Sequence, residues 1–163
     1  IMMSGDDDLI RAELGAGRAE RLGIEGAARF VTDPDRCRQF GRAIGLVIEP
    51  ERRPVLWHCS AGKDRAGWMA TAIALMLGVD RNQATAHYLE SNRGFGLSQA
   101  AEGFLANRDL LEVVRPLLEV QASYIESSFG AMDEAFGGIE GYLHDGLGLE
   151  PQAVEAFRSA VLA

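Results

Sequence analysis

The sequence predicts an α/β fold in which at least one buried strand packs against several helices. Residues 55–58 are mostly apolar and predict a short buried strand. The run over residues 66–77 is almost wholly apolar and predicts a helix that is buried on all sides. Because a buried strand must pair its backbone N–H and C=O groups with neighbours, we expect further strands beside it.

The part of the chain before this strand predicts one clear helix. Residues 1–17 show little periodicity, and residues 22–31 mix apolar residues with glycine, which favours a loop or a short helix. Asp33 followed by Pro34 is a typical helix start, since aspartate caps the first amides and proline suits the first helical position. Apolar residues then share one face, so we expect a helix over residues 34–49 that packs on the sheet.

Helical patterns also follow the buried helix. Gly78 is well placed as its C-terminal cap. Asp80 and Gln83 form a capping-box pattern for the next helix, over residues 81–92. Two glycines then predict a loop over residues 93–98.

The C-terminal part of the chain predicts four more helices. The first is broken by Pro116, and a long amphipathic helix from Leu118 is stopped by Gly137 and Gly138. A short helix and a tight turn follow, and Pro151 opens the last helix, with Val154, Phe157 and Val161 on one face. We treat residues 1–163 as a single domain made of a poorly defined lead-in (1–32), a catalytic core (33–92) and a helical C-terminal part (93–163).

The composition fits one globular domain with a sizeable core. The chain has 163 residues, of which 47% are hydrophobic and 25% are charged. Its formal net charge of −8 argues against a general nucleic-acid or anionic-membrane binder, because such proteins usually carry a basic face. No run is long enough to span a bilayer and the start lacks a signal-peptide pattern, so we expect a cytoplasmic location.

The seven residues between the predicted strand and helix begin with Cys59 and end with Arg65. Backbone amides of a tight loop that opens a helix point into one concavity, which can hold a tetrahedral oxyanion. In that field the pKa of the Cys59 thiol should lie below its ordinary value, so that the residue is a nucleophilic thiolate. Arg65 supplies a planar fork that binds two phosphate oxygens.

The stretch His58-Cys59-Ser60-Ala61-Gly62-Lys63-Asp64-Arg65, followed by Gly67, resembles the signature loop of the cysteine-dependent protein tyrosine phosphatase superfamily, in its bacterial tyrosine and phosphoinositide phosphatase branch. The resemblance covers roughly residue 33 to the end. It implies a central, mostly parallel sheet flanked by helices, and phosphate-monoester hydrolysis through a phosphocysteine without a metal or other cofactor. In the family, earlier strands and a further segment precede this region, so we expect upstream residues outside the given chain.

The resemblance assigns catalytic roles to Cys59, Arg65, Asp64 and His58, and substrate contacts to Ser60, Ala61, Gly62, Lys63, Asp64 and Arg65. His58 is expected to position and ionise the cysteine; the alternative is a strand histidine satisfied in the core. Lys63 is expected as a second cation at the rim, which suits phosphoinositides; the alternative is a solvated surface lysine. Flanking cations favour the ionised carboxylate of Asp64, so we expect it to organise the loop or a water rather than donate a proton, with the acid in an upstream segment.

Ala66 is the clearest departure from the family pattern, which has a threonine or serine hydroxyl after the arginine. That hydroxyl helps the thiolate leave in the second step. The expected function is therefore a phosphatase acting on phosphotyrosine, phosphoserine, phosphothreonine or phosphoinositides. The alternative is a weakened phosphate-binding pseudophosphatase module.

The chain has two cysteines, Cys37 and Cys59. We expect Cys37 in the core and a reducing compartment, because Cys59 needs a free thiol. A regulatory disulfide between the two is the alternative.

Overall fold

The computed structural model describes residues 6–94 and 108–163, which are mainly helical. The helices are α1 (Asp7–Leu14), α2 (Arg18–Thr32), α3 (Pro34–Ile48), α4 (Asp64–Met76), α5 (Arg81–Leu89), α6 (Ser91–Gly94), α7 (Arg108–Leu118), α8 (Ala122–Phe136), α9 (Ile139–Gly141) and α10 (Pro151–Leu162). A 3₁₀ turn covers Pro50–Arg52 and a π-helical turn covers Tyr142–Gly146. None of the helices in these two ranges combines the length and apolar character needed to cross a bilayer.

The predicted central sheet is wrong, because the described residues contain no strand. Residues 55–58, expected as a buried strand, have no regular secondary structure. Val55 and Trp57 pack against the core, whereas Leu56 is 91% exposed. Side chains thus alternate inward and outward as in a strand, but within the described ranges no neighbour supplies the ladder of backbone hydrogen bonds that a sheet requires.

Residues 22–31, predicted as a loop or a short helix, form most of the long helix α2. The glycines do not break this helix, and Gly23 serves its packing against α8. A Cβ atom at Gly23 would lie 2.4 Å from the Cζ atom of Tyr124, so only glycine leaves room for that ring. Residues 1–17 also contain a helix, α1, which Asp6 caps by accepting a hydrogen bond from Leu9 N at 2.9 Å.

Helix α3 confirms the prediction made from its cap. The Asp33 carboxylate accepts hydrogen bonds from Asp35 N at 2.9 Å and from Arg36 N at 3.2 Å. The helix ends at Ile48, one residue before the predicted end. Asp80 caps α5 in the same way, although α5 ends at Leu89 and the short α6 follows.

The loop predicted over residues 93–98 falls mostly outside the described residues, and its first two residues belong to α6. In the C-terminal part, Pro116 lies inside α7 instead of breaking it. Helix α8 begins at Ala122 and not at the predicted Leu118, which ends α7, but it stops as predicted before Gly137, which has φ +71°. Pro151 begins α10. Val154 and Phe157 are buried, but Val161 is 45% exposed and does not join them in the core.

Helix α4 lies in the core, as its apolar sequence predicts, and thereby anchors the loop that precedes it. Seven of its residues are buried, and Trp68 Nε1 donates a hydrogen bond to the Tyr142 hydroxyl at 3.1 Å. Gly78, with φ +86°, follows its C-terminus. Cys37 is buried beside this core, its Sγ is 2.9 Å from the Val31 carbonyl oxygen, and both cysteines are free thiols.

Candidate active site

The loop that leads into α4 surrounds the sulfur of Cys59 with main-chain donors. Gly62 has φ +71°, a left-handed conformation that suits glycine and turns the chain toward the helix. Burial raises the pKa of the Cys59 thiol, but hydrogen bonds from the main-chain amides of Ala66, Gly62 and Ala61, with the charge of Arg65, outweigh it. The pKa is therefore lowered, which favours the nucleophilic thiolate.

Arg65 lies in the first turn of α4 and reaches back over the loop. Its Nη2 atom donates a hydrogen bond to the Ser60 hydroxyl oxygen at 3.1 Å. The side chain is exposed, so the remaining guanidinium donors are accessible to a ligand. The structure thus places Cys59 and Arg65 in the wall of one cavity, with Ser60 hydrogen-bonded to Arg65.

Lys63 does not lie at an exposed rim. It is only 6% exposed, and its ammonium group pairs with the neighbouring Asp64 carboxylate at 2.9 and 3.0 Å. The solvated surface lysine considered as an alternative is excluded for the same reason. A buried ammonium needs such a partner, because an unpaired charge is costly away from water.

His58 is exposed, unlike a strand histidine in the core. Its Nδ1 atom lies 3.3 Å from the main-chain oxygen of Cys59, which can accept a hydrogen bond from it. This contact of His58 is with the main chain of Cys59. The hydrogen bonds to the Cys59 sulfur come from the loop amides instead.

Trp57 is a site residue that sequence reasoning missed. Its indole Nε1 donates a hydrogen bond to the main-chain oxygen of Ala66 at 3.3 Å, which joins the segment before Cys59 to α4. No sequence pattern indicates this contact, because a tryptophan two residues before a cysteine is equally typical of an apolar strand.

A cavity of about 740 Å³ opens over the loop and is lined by Cys59, Lys63, Asp64, Arg65 and Ala66 on one side. Its other walls are mainly apolar and aromatic residues of α2, α5 and α8, and α3 adds the polar residues Asp35, Arg36 and Gln39. Tyr88 is buried and also lines this cavity. Burial, helped by Glu20, Asp64 and Glu119, raises the pKa of Tyr124 to about 12, so this wall phenol is neutral near pH 7.

Comparisons with known proteins agree on one family. A profile described as "Tyrosine phosphatase family" matches residues 2–163. A Cupriavidus necator protein named "Putative tyrosine-protein phosphatase" is 41% identical over 97 residues, which cover 58% of this chain and 36% of that protein. The "Triple specificity protein phosphatase PtpB" of Mycobacterium tuberculosis is 30% identical over 168 residues, which cover 90% of this chain and 60% of that protein. The chain thus spans less than two thirds of either relative.

Proposed function

The chain belongs to the tyrosine phosphatase family, and on that premise we propose that it hydrolyses phosphate monoesters through a covalent phosphocysteine. One observation carries the proposal. The half-buried sulfur of Cys59 faces three main-chain amides, and the Arg65 guanidinium lies beside the same concavity. A tetrahedral phosphoryl group fits such a set of donors, which would stabilise the negative charge on its equatorial oxygens.

The reaction proceeds in two displacements. The Cys59 thiolate attacks phosphorus in line, an S–P bond forms, the P–O bond to the leaving group breaks, and the leaving oxygen takes up a proton. A water molecule then attacks phosphorus from the opposite side, the S–P bond breaks, inorganic phosphate leaves and the thiolate is restored. Arg65 and the loop amides hold the equatorial oxygens in both steps.

Asp64 has a supporting part in this proposal. Its carboxylate pairs with the buried ammonium of the preceding residue, Lys63, at the point where the loop enters α4. A carboxylate that pairs with an ammonium group at this place can orient the water of the second step. His58 supports the loop through the Cys59 carbonyl.

We propose phosphotyrosine as the first substrate class, ahead of phosphoserine, phosphothreonine and phosphoinositides. The cavity beside the loop has mainly apolar and aromatic walls, which suit an aryl group. Among the described residues, the lysine expected to bind a second phosphate is already paired with Asp64. A multiply phosphorylated head group could not use Lys63 without breaking that pair.

A phosphate-binding module without turnover is the second candidate function, and Ala66 favours it. The position after Arg65 has a methyl group where the family pattern has a hydroxyl, so no side chain at this position can donate to the leaving thiolate. Both candidates bind phosphate, and they differ only in whether the phosphocysteine is hydrolysed.

Hydrolysis of 4-nitrophenyl phosphate tests the proposal. We expect release of nitrophenol that is unchanged by a chelator and is abolished in Cys59→Ser, because a serine hydroxyl stays protonated near neutral pH. Cys37→Ser is the matched control, since Cys37 lies in the core, and it should keep the activity. Tight phosphate binding without any nitrophenol release would favour the binding module, and hydrolysis that survives Cys59→Ser would refute the proposed nucleophile.

A further inference from the structure

A side-chain hydrogen bond closes the base of the phosphate loop, by which we mean residues 59–65. Trp57 precedes Cys59 by two residues, and Ala66 directly follows Arg65. The 3.3 Å contact from Trp57 Nε1 to Ala66 O therefore joins the two ends of the loop. The loop between them carries the nucleophile and most of the donors that surround it.

The backbone of Ala66 makes two contacts, one through its N–H and one through its oxygen. Its main-chain N–H is one of the amides that hydrogen-bond the Cys59 sulfur, while its main-chain oxygen accepts the indole N–H. Its side chain has no hydroxyl, so the backbone of this residue supplies its contact with the sulfur. The orientation of the Ala66 backbone should therefore decide how well its N–H donates a hydrogen bond to the sulfur.

We propose that Trp57 is a positioning residue for the nucleophile, because its indole N–H holds Ala66 where the Ala66 amide points at the Cys59 sulfur. The indole suits this role, since its body packs against the core cluster while its N–H reaches α4. The residue before α4, Lys63, gives the first turn of that helix no side-chain cap, so the turn relies on other contacts to fix its amides.

The inference rests on the proposed function only in taking Cys59 as the nucleophile. A purely structural tryptophan would stabilise the fold without changing the reactivity of the thiol. The two roles separate in Trp57→Phe, which keeps an aromatic ring but removes the donor. The Ala66 oxygen keeps a hydrogen-bond partner after this change. Inside α4 it also accepts the helical hydrogen bond from the main-chain N–H four residues later.

Alkylation of Cys59 by iodoacetamide as a function of pH is the test, followed by mass spectrometry on the peptide that contains Cys59. Only the thiolate reacts, so the rate reports its fraction at each pH. Because the wild-type thiol has a lowered pKa, alkylation should continue at pH values where an ordinary cysteine is largely protonated. On the acidic side of the profile we expect Trp57→Phe to react about two- to tenfold more slowly, as for the loss of one net hydrogen bond.

Trp68→Phe is the matched control. It removes an indole N–H from the same region of the fold, but that group donates to Tyr142 in the core instead of to the loop. It should lower the melting temperature and leave the pH profile of alkylation unchanged. Superimposable profiles for Trp57→Phe and wild type, or an equal displacement in Trp68→Phe, would overturn the positioning role. Since alkylation needs no turnover, a shifted profile in a chain that fails to hydrolyse 4-nitrophenyl phosphate would uphold the role of Trp57 and refute only the phosphatase activity.

Discussion

The phosphate loop and the α2–α8 pair line the same cavity but are held by different contacts. In the loop, residues 59–65, main-chain amides surround the sulfur, and the exposed Arg65 makes a single described hydrogen bond, to Ser60. In the helix pair, Tyr124 of α8 lies against Gly23 of α2, and its hydroxyl donates to Pro116 O at 2.7 Å. Main-chain amides thus form the surroundings of the sulfur, whereas side-chain fit forms the wall.

Two further contacts tighten the helix pair. Ser128 Oγ donates to the Ala27 carbonyl at 3.0 Å, and Ser127 Oγ donates to the Ile24 carbonyl at 3.1 Å. Buried contacts of this kind contribute to the free energy of unfolding, whereas an exposed guanidinium contributes little. The difference predicts that loop substitutions change the chemistry at nearly constant stability, and that wall substitutions change the stability first.

Arg65→Lys should have the largest effect on activity with almost no effect on stability, so it is the strongest test of this comparison. Lysine keeps the charge but cannot present two parallel donors to phosphate oxygens. We expect kcat/KM for an aryl phosphate to fall about 100-fold or more, the scale for loss of one donor that stabilises the transition state. The melting temperature should hardly move, because the side chain is exposed.

The control for that experiment is Arg38→Lys, on the exposed surface of α3, where the arginine pairs with Asp35. It should leave kcat/KM and stability unchanged. A large loss of stability in Arg65→Lys would mean that the Arg65 side chain helps to hold the loop and would contradict the comparison.

Ala66→Thr tests the same comparison by adding a side-chain donor to a loop in which main-chain amides surround the sulfur. If wild type hydrolyses the phosphocysteine slowly, nitrophenol release should show a stoichiometric burst followed by slow turnover. The added hydroxyl should speed the slow phase about tenfold to a hundredfold, as expected for one hydrogen bond to a charged group. Stopped-flow absorbance resolves the two phases.

Ala74→Thr makes the same substitution two turns further along α4, at a distance from Cys59, and should leave both phases unchanged. A linear progress curve in wild type that Ala66→Thr does not alter would show that the missing hydroxyl has no consequence for turnover.

The sequence predicts the parts of the molecule that depend on local contacts. Helix α3 follows from the cap at Asp33, the proline after it and the spacing of its apolar residues, all within a few positions. The surroundings of Cys59 are predictable for the same reason, because a tight loop before a helix must turn its amides inward. Gly62 and the first turn of α4 supply that geometry within the loop itself.

The failures involve contacts between distant parts of the chain. The apolar run over residues 55–58 predicts a buried strand but carries no information about a pairing partner, so the sheet prediction is wrong and Leu56 is exposed. Gly23 favours a loop by its local pattern. Its role in the structure, which is to leave room for the Tyr124 ring, depends on the packing of α8 against α2 and is not visible in that pattern. Lys63 is predicted at the rim because spacing along the loop does not reveal burial.

Two glycines of α2 provide the finest test of the comparison, since both line the cavity and lie in one helix. A Cβ atom at Gly23 would sit 2.4 Å from Cζ of Tyr124, a buried ring that cannot turn away without breaking its hydrogen bond to Pro116. At Gly26 a Cβ atom would meet nothing within 4 Å. The same change to alanine should therefore have opposite signs at the two positions.

We expect Gly23→Ala to destabilise the fold by about 1–3 kcal/mol, the usual result of overpacking, whereas Gly26→Ala should stabilise it by about 0.5–1 kcal/mol, because alanine favours the helix. Chemical denaturation measures both changes, and the slope with denaturant should stay constant if only stability is altered. Alkylation of Cys59 should be the same in the two variants, since neither glycine contacts the loop amides. If both variants gained stability, the Tyr124 ring would not be seated on Gly23 and the wall would not depend on side-chain fit; if Gly23→Ala changed the reactivity of Cys59, loop and wall would not be independent.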